Sequence, residues 1–89
     1  MVEIRTYRPK ENVSLRDLMI RKIGAGKDEC IYLGEIVRGT SKCDCYHCFS
    51  TTVFVDSDIS IVGESNEIYE SRKRLDSFLN IELVDWIKK

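Results

Sequence analysis

Six consecutive residues, Cys43-Asp44-Cys45-Tyr46-His47-Cys48, hold three of the four cysteines and the only histidine of an 89-residue chain. That concentration limits what can be built around it. A chain this short buries only about 60–65% of the surface its unfolded form exposes, so it makes one small core, to which a covalent or metal staple adds proportionately much. One domain spanning 1–89 is therefore the expectation.

On either side of the hexad the sequence reads as ordinary α+β material. Val2, Ile4 and Thr6 alternate with Glu3, Arg5 and Tyr7, the period of a strand, and Pro9 ends it because it cannot donate to a ladder. Ser14 caps a first helix, with Val13 and Leu18 placed as a hydrophobic staple. Leu15, Leu18, Met19 and Ile23 share one face of that helix, and Gly24 and Gly26 stop it. The Gly24-Ala25-Gly26-Lys27-Asp28 run lacks the first glycine and the final Ser or Thr of a phosphate loop, and it follows a helix rather than a strand.

The segment 30–38 is apolar on both faces, through Cys30, Ile31, Tyr32, Leu33, Ile36 and Val37, and so reads as a central strand. Segments 49–55 and 59–62 complete a meander that places the hexad at the tip of its first hairpin. Ser65 opens a second helix whose inner face is Ile68, Leu75, Phe78 and Leu79, with basic residues toward the negative end of the dipole. At Asn80 two readings stay open. The helix runs on, since Leu79, Leu83, Trp86 and Ile87 keep helical spacing, or it breaks and 81–87 form a last strand. The strand is favoured because Ile81, Leu83, Val84, Trp86 and Ile87 crowd too much apolar surface for one helical stripe. The fold class is α+β: a small antiparallel or mixed sheet of four to five strands with two helices packed on one face.

Three chemistries fit the hexad. Zinc is the first, with Cys43, Cys45, His47 and Cys48 as ligands. Cys45 and Cys48 have the two-residue gap that lets two thiolates grip one ion, and Cys43 projects from the same side of an extended chain as Cys45. Cys30 is the alternative fourth ligand, but a straight strand from 30 to 38 spans about 26 Å and leaves it at the far end of the hairpin. Thiol–disulfide exchange by Cys45 and Cys48 is the second. Its context argues against it, since the motif opens a helix in that chemistry and the sequence from Phe49 onward reads as strand. The third is a set of reduced cysteines with Cys30 in the core.

Elsewhere no paired carboxylates, phosphate loop or metalloprotease helix can be read, so the expectation is a non-enzymatic module. Fourteen basic against fifteen acidic residues leave a net charge of −1, which argues against bulk attraction to nucleic acid; the run 72–74 spreads around a helix rather than forming a stripe. No apolar run approaches a membrane span, and the opening residues lack the apolar centre of a secretory signal, so a cytoplasmic, reducing setting is expected. The leading reading is a small binding or regulatory module that touches a protein partner through Asp44 and Tyr46 at the hairpin tip, with zinc as an optional staple. The thiol oxidoreductase and a nucleic-acid-binding accessory protein are the alternatives, and homo-oligomerisation stays open.

Overall fold

Alternation of side chains along extended segments decides the architecture, because each strand must put one set of residues into a shared core. The computed structural model describes residues 1–23, 30–77 and 79–88. In chain order the elements are β1 (Val2–Pro9), α1 (Leu15–Ile23), β2 (Cys30–Arg38), β3 (Ser41–Cys48), β4 (Thr51–Val55), β5 (Ile59–Glu64), α2 (Ser65–Asp76) and β6 (Ile81–Lys88). The strands form one six-stranded sheet in the order β2-β3-β4-β5-β1-β6, and every pairing is antiparallel.

Strands β2 to β5 are a meander. The first strand of the chain then inserts between β5 and β6, so that Ile4 faces Val62 on one side and Ile87 on the other. Tyr7, Tyr46, Val53, Val55, Ile59 and Ile61 form one core with Leu15 and Met19 of α1 and Ile68 and Leu75 of α2. Ser14 begins α1 as its sequence predicts, its carbonyl accepting from the Leu18 amide at 3.0 Å. The second helix is capped differently from the expectation. Ser65 is its first helical residue, and the amide of Glu64 donates to the Glu67 carboxylate at 3.3 Å. The turn read at residues 24–28 and the inner-face residue Phe78 lie outside the described residues.

Three expectations are corrected. The sheet has six strands rather than four to five, because the hexad itself is extended and adds a strand. The hairpin tip is Gly39-Thr40, where Arg38 pairs with Ser41 and Gly39 takes φ 64°, a conformation glycine adopts without the Cβ clash other residues meet. Finally, β2 is an edge strand. Its two apolar faces gave the signature of a central strand, yet Ile31, Leu33 and Val37 are 61, 60 and 67% exposed.

Candidate functional site

Period-two geometry splits the hexad between the two faces of β3. Asp44, Tyr46 and Cys48 pair with Val55, Val53 and Thr51 of β4, on the face that carries the core. Cys43, Cys45 and His47 project from the other face. The four residues read as zinc ligands are thus divided, and Cys48 is already bonded. It faces Cys30 across the β2–β3 ladder and forms a disulfide with it, the two Cα atoms 4.0 Å apart. Cys43, Cys45 and His47 climb one strand in steps of roughly 6.5–7 Å, too far apart for one ion to bind all three. Among the described residues no group of three or more His, Cys, Asp or Glu side chains converges on a metal position; the residues present do not fit the proposed zinc.

The disulfide sits in a built environment. Cys48 is 2% exposed, whereas Cys30 is only partly buried at the sheet edge. The backbone carbonyl of Cys48 accepts the Thr51 hydroxyl at 2.6 Å and the Ser71 hydroxyl of α2 at 3.3 Å. Those two hydroxyl oxygens are 2.7 Å apart. Gly63 makes room for this node, since a Cβ there would lie 2.8 Å from Cγ2 of Thr51. Phe49, directly after Cys48, takes φ 57°, which costs a non-glycine residue about 1–2 kcal/mol and needs the surroundings to hold it. Its ring lies 4.7 Å from the Arg74 guanidinium.

The free thiols are of another kind. Cys43 and Cys45 are 4 and 7% exposed, and burial raises both above the ordinary thiol range. At neutral pH they are protonated, small and apolar, which makes them poor nucleophiles. A groove of about 390 Å³ beside Cys43 is lined by Arg38, Phe54, Asp56 and Ser60, with the Arg38 guanidinium 4.2 Å over the Phe54 ring.

Asp44 and Tyr46, expected at an exposed loop tip, are 2 and 0% exposed. The reason is the same alternation: both point into the core side of an inner strand. Asp44 carries a buried charge that is partnered on both oxygens, by the Tyr32 hydroxyl at 2.9 Å and by Arg16 Nε of α1 at 3.1 Å. Arg16 also approaches Glu35 at 3.6 Å, so one guanidinium ties α1 to both strands of the first hairpin. The Tyr32 ring packs on Tyr46 with centroids 5.1 Å apart. Burial, followed by the nearby Asp44 charge, pushes the Tyr46 hydroxyl up to about 12, and that hydroxyl has no hydrogen-bond partner among the described residues.

A second buried carboxylate, not singled out by sequence reasoning, lies at the opposite end of the sheet. Glu3 is 3% exposed. Its Oε2 accepts from the Ser65 hydroxyl at 2.6 Å and from Arg5 at 3.0 Å, and its Oε1 accepts from the Trp86 indole at 3.1 Å. Arg5 lies 4.3 Å over the Trp86 ring. The Ser65 hydrogen bond, ahead of the Arg5 and Trp86 contacts, holds the Glu3 carboxyl below its ordinary value. Alternation alone put Glu3 with the polar set of β1; only Tyr7, four residues on and on the same face, marked that face as the one that is buried. The basic run 72–74 is engaged rather than massed: Arg72 pairs with Asp76 at 3.5 Å and sits 5.2 Å from the Tyr7 ring.

Compared with known proteins, the chain matches no family model, no curated protein and no solved structure.

Proposed function

We propose that this chain is a non-enzymatic binding module that acts by protein–protein contact, and that the contact is strand addition at the outer edge of β2. The occupant is an extended segment of a partner protein, laid alongside β2 as a seventh strand. One observation carries the reading. This nine-residue edge strand exposes Ile31, Tyr32, Leu33, Ile36 and Val37 at 37–67%, with no proline and only Glu35 and Arg38 as charges.

An edge of that kind offers a row of backbone donors and acceptors, with apolar side chains on both faces for a partner's alternate residues to cover. Proteins that do not use such an edge blunt it with charge, proline or a covering loop, and among the described residues no strand pairs with the outer side of β2. The chemistry of the hexad supports this role indirectly: the disulfide, Asp44 and Tyr46 brace β2 from behind rather than meet the partner.

The test is a photo-cross-linking amino acid at position 33 together with the double substitution Leu33→Lys, Val37→Lys. The expected result is a cross-link from position 33 to an extended segment of one partner protein, lost in the double variant while its circular dichroism stays native. Equal retention of that partner by the variant would overturn the reading. A concentration-dependent dimer abolished by the same two substitutions would reassign the edge to a second copy of the chain.

A further inference from the structure

We propose that the Cys30–Cys48 disulfide is a thiol-responsive clasp on this edge: a dithiol reductant opens it and releases residues 30–33 from β3 while the rest of the sheet stays folded. The proposal rests on the reading of β2 as the docking strand and names its regulation.

Four observations place the clasp. The bond joins an edge strand to its inner neighbour at directly facing positions, so it holds register at the start of β2. The ladder then breaks: Tyr32 pairs with Tyr46 but Gly34 with Cys45, leaving an irregularity between them, with Gly34 at φ 120°. A bulge leaves the extra residue unpaired and disrupts the ladder locally, so the three pairs before it are separated from the five pairs after it. The two halves of the bond are unequally anchored. Cys48 is 2% exposed and its carbonyl is held by hydroxyls from β4 and α2, whereas Cys30 is partly exposed at the edge. Opening the bond therefore leaves the β3 side where it is and loosens the β2 side, which keeps only its ladder and the Tyr32 hydroxyl on Asp44. The remaining thiols, Cys43 and Cys45, project from the opposite face of the sheet and are buried, so they do not compete for either sulfur.

The chemistry balances with one dithiol. A thiolate of the reductant attacks the accessible sulfur of Cys30, forming a mixed disulfide, and Cys48 leaves as a thiolate that takes up a proton. The second thiol of the reductant, deprotonated, displaces Cys30 in turn. The products are two cysteine thiols and the cyclic disulfide of the reductant; two electrons and two protons have moved from the dithiol to the protein. A pre-organised edge binds a strand with less ordering cost than a loose one. The oxidised form is accordingly the docking form, and reduction weakens docking.

The experiment uses the isolated chain, so that it stands apart from whether any partner docks. The protein is equilibrated in dithiothreitol redox buffers, trapped with N-ethylmaleimide and mapped by mass spectrometry, with hydrogen exchange followed in parallel. The expected result is alkylation of Cys30, once its bond to Cys48 opens, before the more buried Cys43, Cys45 and Cys48. Amides 31–34 should exchange at least about tenfold faster on reduction beyond any uniform change shared by 35–38 and the β4–β5 core, as local opening requires. A Cys30→Ala variant should show the same exchange pattern without reductant. Unchanged exchange at 31–34 after complete reduction would overturn the proposal. So would an equal loss of protection at 31–34 and throughout the sheet, which would make the bond only a staple for the whole fold.

Discussion

The two edges of this sheet are β2 and β6, both long and both rich in exposed apolar side chains, yet they are secured by different chemistry. On β6, Leu83, Val84, Trp86 and Ile87 are 40–46% exposed, but Glu82, Asp85 and Lys88 interrupt them. The strand is fastened by a hydrogen-bonded carboxylate, Glu3, which reaches Trp86 and the start of α2 at once. On β2 the fastening is covalent at one end and a Tyr32–Asp44–Arg16 chain further along, while its outward surface carries few charges. The difference separates an edge protected against pairing from one left open to it. It also makes one edge sensitive to protons and the other to thiols.

The largest effect that would sharpen this contrast is reduction. The bridged cysteines are 18 residues apart, and closing a loop of that size is worth about 3 kcal/mol in the chain-entropy model. Urea melts of the oxidised and reduced protein should differ by that order; equal midpoints would mean β2 owes the bond nothing. Next is Trp86→Ala, which removes a half-exposed aromatic from Arg5 and one donor from Glu3. We expect about 2 kcal/mol by chemical denaturation, with exchange quickening in β6 and β1 but not in β2.

Acid should single out the same edge. The folded-state Glu3 carboxyl is held below its ordinary value, so its contribution is present above the unfolded pKa and is lost as pH falls through the folded one. The indole side-chain resonance of Trp86 should shift in that acid range and stay still in a Glu3→Gln variant. At the other extreme, Tyr46 titrates near 12 when folded and near 10 when unfolded. Its proton therefore favours the folded state up to pH 10, and stability should decline from there toward 12. Tyr46→Phe should reduce that decline, leaving the part due to Tyr32, whose hydroxyl is also raised by its bond to Asp44. At neutral pH it should cost less than about 1 kcal/mol, because the hydroxyl it deletes is buried with no partner among the described residues. A larger loss would reveal a bond behind β2.

Much of the scaffold could be read from side-chain period alone. Val2, Ile4 and Thr6 marked β1, the crowding of Ile81 to Ile87 marked β6, and Leu15, Met19, Ile68 and Leu75 marked the helix faces now buried. The hexad was misplaced because cysteine, aspartate and histidine suggest a loop by composition, while their alternation, which is what places them, suggests a strand. A strand of 30–38 does carry the chain away from Cys30, but Ser41 to Cys48 carries it back, which returns Cys48 to its side. Edge and centre could not be told apart in β2, since a strand that meets a partner and one buried between neighbours carry the same apolar residues. Glu3 escaped notice because its partners, Ser65 and Trp86, are 62 and 83 residues away.

That separation bears on how the chain reaches its fold. The meander β2–β5 closes through short turns and can form early, each hairpin needing only its own residues. β1 has neither neighbour until β5 and β6 exist, and its ladders close loops of most of the chain, the slow kind of contact. During synthesis it must wait, its apolar and charged residues alternating, for strands not yet made. The strand that leaves the ribosome first is the last to be enclosed.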